Sequence, residues 1–127
     1  MKLEFLESSS PDCPLIRLYG FDNLAALRLM ELFRSLADGS QNHLRLHDQL
    51  GVEAIQGCQL DLRLGTRECG IEQTSRAAFE CVLTSEGWAE LADLMEPFCE
   101  AGTMNEHYQW LNEDGSVSLL LSPTGRW

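Results

Sequence analysis

His43 and His47 stand four residues apart. On a helix that spacing sets both imidazoles over one metal ion. Here Leu44, Leu46, Leu50, Val52 and Ala54 alternate with His43, Arg45, His47, Gln49 and Glu53, and that period belongs to a strand. On a strand the two rings lie ~13 Å apart, at about 3.3 Å per residue. A zinc–nitrogen bond is only ~2.0–2.1 Å long, so no metal site is expected. Instead His43, Arg45 and His47 form a polar strand face, which is either able to take a small ligand or is a wet sheet face with mixed ion pairs. Asp48 falls at an inward position of the alternation. A lone carboxylate is costly to bury. Either a bulge turns it outward or it is a site carboxylate with a raised pKa.

Nucleophilic chemistry has less to work with. Cys58, Cys81 and Cys99 sit at inward positions of their elements and read as small core residues. Cys13 and Cys69 fall in loops, and Arg67 near Cys69 is placed to favour its thiolate. Five cysteines, an odd number with no C-x-x-C pair, suit reduced thiols in a cytoplasmic setting better than a disulfide framework. The sequence contains no G-x-S-x-G, no P-loop and no dinucleotide fingerprint. No catalytic residue and no cofactor are assigned, and a non-enzyme is favoured.

Charge is the stronger signal. The net charge is −11. Residues 1–76 carry eight Lys/Arg against eleven Asp/Glu, a net of −3, and residues 77–127 carry one against nine, a net of −8. No Lys or Arg occurs between Arg76 and Arg126. This sign disfavours nucleic acid and anionic membrane surfaces and suits a basic protein partner. The acids concentrate on one predicted helix, where Glu86, Glu90, Asp93, Glu96 and Glu100 have no basic residue three or four places away. Like charges at that spacing repel. Such a stripe is either a solvated face on an acidic protein or a docking face. Tyr108 and Trp110, alternating on a neighbouring strand, are either core residues or binding anchors beside the acids. Trp127 ends the chain as a plug or an exposed hook.

The elements that position these groups can be read by periodicity. Residues 14–21 read as a strand ended by Gly20. Asp22 then caps a helix running to about Ala37, whose apolar face is Leu24, Leu27, Leu29, Met30, Phe33, Leu36 and Ala37. The alternation over 43–54 and 58–64 predicts a hairpin closed by Ile55-Gln56-Gly57. Its register pairs Val52 with Leu60 and Leu50 with Leu62, with Gly57 left-handed. Residues 65–75 read as turn. A strand over 78–83 buries Phe79, Cys81 and Leu83. Thr84-Ser85-Glu86 opens the second helix, striped by Trp88, Leu91, Ala92, Met95, Phe98 and Cys99, bent or ended by Pro97 and stopping at Ala101-Gly102. Strands over 106–111 and 116–121 flank Asp114-Gly115 in a hairpin, with Val117, Leu119 and Leu121 inward.

The fold expected is one α+β domain over 1–127. It comprises a mainly antiparallel sheet of about six strands with two helices on it, in the order βαββ-βαββ, and the units 14–64 and 78–121 read as an internal pseudo-repeat. Residues 1–12 read as a flexible lead-in, unlike a secretory signal, and no apolar run approaches the ~20 residues that cross a bilayer. The functional expectation is a non-catalytic, inhibitory or immunity-like module. It binds a basic partner through Glu86, Glu90, Asp93, Glu96, Glu100, Tyr108 and Trp110. The alternative is a small-ligand or enzymatic domain using His43, Arg45, His47 and Asp48. Free sheet edges also allow a homo-oligomer.

Overall fold

Two side-chain caps start the helices. In a computed structural model, which describes residues 1–100 and 107–127, Asp22 Oδ1 accepts the Ala25 N–H at 2.9 Å and begins α1 (Asn23–Ala37). Thr84 Oγ1 accepts the Gly87 N–H at 3.2 Å and begins α2 (Ser85–Cys99). Each cap satisfies a first-turn donor that the helix cannot. The buried faces follow the sequence stripes, Ala26, Leu29, Met30, Phe33 and Leu36 on α1 and Trp88, Leu91, Ala92, Met95 and Phe98 on α2. Leu24 instead stays exposed. The helices pack together, with the Phe33 and Trp88 rings stacked at 5.6 Å. The buried Trp88 indole donates to the Arg63 carbonyl at 2.9 Å, so its one polar atom is satisfied. Pro97 lies in the last turn of α2, where its ring disrupts few helical bonds. The stop expected at Ala101-Gly102 and the strand start expected at Glu106 lie outside the described residues.

The strands form two mixed sheets. β1 (Lys2–Leu6), β2 (Leu15–Tyr19), β4 (Glu53–Ala54), β8 (Gln109–Asn112) and β9 (Ser118–Ser122) make a five-stranded sheet in the order β4-β1-β2-β9-β8. β3 (His43–Arg45), β5 (Gln59–Leu64), β6 (Gly70–Ser75) and β7 (Ala78–Leu83) make a four-stranded sheet in the order β3-β5-β7-β6. The fold is thus α+β with two helices, as expected, but a single six-stranded, mainly antiparallel sheet does not form. Nor do the segments 14–64 and 78–121 build sheets of their own as βαββ units. β2 of the first pairs in parallel with β9 of the second, and β5 of the first pairs in parallel with β7 of the second. Antiparallel pairs β1-β2, β8-β9, β3-β5 and β6-β7 flank these parallel junctions, and β4 adds parallel to β1. Alternation fixes which face of a strand is apolar but not which strand lies beside it.

Three local differences follow. Residues 2–6, expected in a flexible lead-in, form β1, and Leu3 is fully buried. Residues 70–75, expected as turn, form the edge strand β6, whose only buried side chain is Ile71. The long strand expected over 43–54 ends at Arg45. Leu46–Asp48 is a 3₁₀ turn, Leu50 is 89% exposed, and Glu53–Ala54 joins the other sheet beside β1. Leu62 therefore faces Leu44 instead of Leu50, a slip of six residues. The slip is even, so the leucines of β3 and β5 still point inward. Gly57 is left-handed, at φ 71°, but it turns the chain between sheets and closes no hairpin.

The sheets meet where Ile71 bridges Val117. Glu72 accepts the Ser116 N–H at 3.1 Å and the Ser116 hydroxyl at 2.5 Å. A Cβ on Gly115 would fall on the Ile71 backbone, which is why glycine stands there. The two-residue Asp114-Gly115 turn is instead part of a longer connection between Asn112 and Ser118. Leu3, Ile16, Leu18, Leu119 and Leu121 from one sheet and Leu60, Leu62, Phe79 and Cys81 from the other share one core with both helices. Among the described residues no helix is long and apolar enough to cross a membrane.

Candidate functional site

A groove of about 400 Å³ runs between the first half of α2 and the β8-β9 hairpin. Glu86 and Glu90 line its helix side, Glu113 and Asp114 its hairpin side, and Glu68 one end, with Leu91, Leu94 and Trp110 supplying apolar surface. Among the described residues no Lys or Arg lines it. Its five carboxylates do not converge, since among the described residues no three His, Cys, Asp or Glu side chains gather closely enough to hold a metal ion. The charge is spread along a trough, which suits an extended cation better than a point charge.

The local chemistry holds two of these acids in place. Thr84 donates its hydroxyl proton to Glu68 Oε1, and the Glu68 carboxylate packs against Gly87, where any Cβ would displace it. Glu68 thus lies against the first turn of α2, where the helix dipole favours negative charge. Asn112 Nδ2 donates to Asp114 Oδ2 at 3.0 Å, while the Asp114 N–H donates to Asn112 Oδ1 at 3.0 Å. Glu86 and Asp93 are exposed on α2, and Glu100 is exposed as the residue that caps its end. Within the stripe Glu96 is paired, because Arg34 of α1 reaches it at 3.5 Å. The sequence hid that pairing, since the cation lies on the other helix. Tyr108 is half-exposed and stands edge-on to Trp110 at 6.5 Å. Of the acids and aromatics singled out by sequence, Glu86, Glu90 and Trp110 therefore share one groove. Asp93, Glu96, Glu100 and Tyr108 do not line it. Glu113 and Asp114 were missed as members, although the Arg76–Arg126 gap in basic residues marks them. Glu68 sits beside Arg67 in sequence and gave no signal.

The second candidate surface is already occupied by its own partners. His43 Nε2 lies 3.1 Å from Asp61 Oδ1, and Arg45 lies 3.8 Å from Asp48 and 3.9 Å from Asp61. His47 turns inward, and its Nδ1 accepts the Leu60 N–H at 3.0 Å. Asp48 points outward, as the milder reading has it, although the 3₁₀ turn and not a bulge achieves this.

All five cysteines are free thiols. Burial, with nearby Glu4, pushes the Cys58 thiol up to about 11. Burial, with Asp114 and Glu68 nearby, also pushes Cys81 up. Burial tends to raise Cys13 too, but hydrogen bonds with Ser9 and Ser10 outweigh it and leave that thiol lowered. Trp127 neither plugs the core nor hangs free. Its Nε1 donates to Asp12 Oδ2 at 3.0 Å, beside Arg17, which pairs with Glu4 at 2.6 Å and lies over the Tyr19 ring.

No protein-family model matches this chain. No curated protein and no solved structure matches it either.

Proposed function

We propose that this protein is a non-catalytic binding module that docks a basic protein, in the manner of an inhibitory or immunity protein covering a cationic site. The observation that carries the reading is the groove between α2 and the terminal hairpin, lined by five carboxylates and some apolar side chains and, among the described residues, by no cation. Charge of one sign in a concave, partly apolar trough attracts the opposite sign and raises encounter rates. The same field repels nucleic-acid phosphates and anionic lipid. Leu91, Leu94 and Trp110 supply the contact that a purely electrostatic surface lacks. Free thiols are what a reducing cytoplasm maintains, which supports action there.

Two competing readings have less support. The ligand surface at His43, Arg45, His47 and Asp48 has its charges matched internally by Asp61 and Asp48. Self-association through sheet edges meets edges that are short or irregular. β4 has two residues, β3 has three, and β6 and β8 each carry a register shift. Such edges are poor templates for another strand.

The test is capture from lysate by tagged protein at low and high salt, using three forms. Glu90→Lys with Glu113→Lys reverses charge inside the groove. Glu31→Lys with Glu53→Lys makes the same change in net charge at exposed positions elsewhere. A basic protein retained at low salt by the wild type and the second pair, and lost by the first pair, supports the groove. Equal retention by both pairs, or none by the wild type, sinks it.

A further inference from the structure

A second and larger cleft, of about 690 Å³, shares no lining residue with the acidic groove. Three segments build it, the end of β1 with the residues after it, the turn between β4 and β5, and the turn between β6 and β7. Its volume falls within the range of small-molecule sites. Phe5, Leu6 and Ile55 give it an apolar wall, and the Phe5 ring is held 4.5 Å from Phe79 of the other sheet.

Three features distinguish it from a bare gap between sheets. The first is charge. Glu7 and Arg76 both line the cleft, yet they are not paired with each other, and among the described residues neither side chain has an ion-pair or hydrogen-bond partner. Unmatched charges of both signs lining one cleft suit a ligand that carries both charges. The second is open backbone. β4 pairs with β1 only at Lys2 and Leu3, so past Leu3 that edge of β1 has no strand beside it among the described residues, and β1 leads directly into the cleft wall. The third is conformation. Gln56, which also lines the cleft, is left-handed at φ 52° without being glycine. Such residues concentrate where surrounding structure holds a binding loop in shape.

We infer that this cleft binds a small zwitterion of the α-amino-acid class with an apolar side chain. Arg76 takes the carboxylate, Glu7 takes the ammonium, and the wall of Phe5, Leu6 and Ile55 takes the side chain. A planar guanidinium is suited to a carboxylate, and both charges are met without a buried unpaired ion.

Isothermal titration calorimetry with L-leucine as the probe tests the assignment. L-leucinamide removes the carboxylate, N-acetyl-L-leucine removes the ammonium, and glycine removes the side chain. The wild type is expected to bind leucine about tenfold or more tightly than each of the three, the effect of losing one charge-assisted bond. Arg76→Gln should abolish the preference for leucine over leucinamide while keeping the preference over the acetylated compound. Glu7→Gln should do the reverse. Both residues are exposed, so the variants are expected to melt with the wild type. No leucine binding at millimolar concentration, or equal losses for every ligand in both variants, overturns the proposal.

Discussion

At the scale of single residues, the contact between Glu68 and Gly87 is the sharpest test of how the groove is built. Thr84 and the first turn of α2 hold the Glu68 carboxylate only because position 87 has no Cβ. Replacing Gly87 by Ala adds helix propensity and ejects the carboxylate, so the two effects oppose and the net change is small, within about 1 kcal/mol. The informative quantity is the coupling. Glu68→Ala is expected to cost about 1 kcal/mol in the wild type and almost nothing in Gly87→Ala, measured by urea unfolding of the four forms. Equal costs in both backgrounds would show that the carboxylate is not seated on the helix.

The buried thiols give a second residue-scale prediction. Cys58 is held up to about 11 by burial, against its ordinary 9.0. Below pH 9 the folded and unfolded chains bind this proton alike. Above that the unfolded chain loses it first, so stability falls as pH rises toward 11. Cys81, raised in the same direction, adds to the fall. Denaturation midpoints should therefore drop between these limits, and less steeply in Cys58→Ala. A thiol reagent at neutral pH should modify exposed Cys69 readily and leave Cys58 and Cys81 until the protein is unfolded.

At the scale of elements, the junction of the two sheets is more exacting than any single strand. Gly70 is left-handed at φ 70° and its Cβ would strike the Gly115 backbone, while a Cβ on Gly115 would strike the backbone of Ile71. Backbone cannot rotate aside as a side chain can. Gly115→Ala and Gly70→Ala are each expected to cost about 2–3 kcal/mol or more, as overpacking does. Gly39→Ala is the control. That glycine is also left-handed, at φ 80°, but has nothing near its Cβ, so only the backbone penalty of about 1–2 kcal/mol applies. Urea unfolding separates the two classes, and similar losses at all three positions would mean that the sheets do not meet as closely as described.

The same elements show what the sequence could convey. Both helices, their Asp22 and Thr84 caps and the inward sets of β5, β7 and β9 are local facts, written in 3.6- and 2-residue periods. Pairing is not local. The break after Arg45 sends Glu53–Ala54 to the other sheet, where it pairs with β1, while β3 pairs with β5. β1 alternates Leu3 and Phe5 against Lys2 and Glu4, a readable pattern masked by its short length and the serine run after it. β6 buries only Ile71, too little for a periodic signal. The acidic groove was half legible for the same reason. Glu86 and Glu90 lie on one helix stripe, but Glu68 and Asp114 join them only through tertiary structure.

At the scale of the whole molecule, the net charge of −11 sets the proposed docking role against stability. Unmatched like charges raise the energy of the folded state, and the five carboxylates of the groove have no lining cation to offset them. If a basic partner supplies that cation, the repulsion is a standing cost of binding readiness. Neutralising Glu90 and Glu113 to Gln removes two of those charges with little change of shape. The melting temperature at low salt is then expected to rise, reflecting a stability gain of a few tenths of a kcal/mol per charge. The gain should vanish by about 0.5 M salt, where screening already suppresses the repulsion. The same change at Glu4, which Arg17 neutralises at 2.6 Å, should lower the melting temperature instead, since it breaks a partly buried pair and leaves the guanidinium unmatched. Opposite signs at the two places would locate the strain of the acidic surface in the groove. A rise of equal size at both would mean that the charge is general and the groove carries no special share of it.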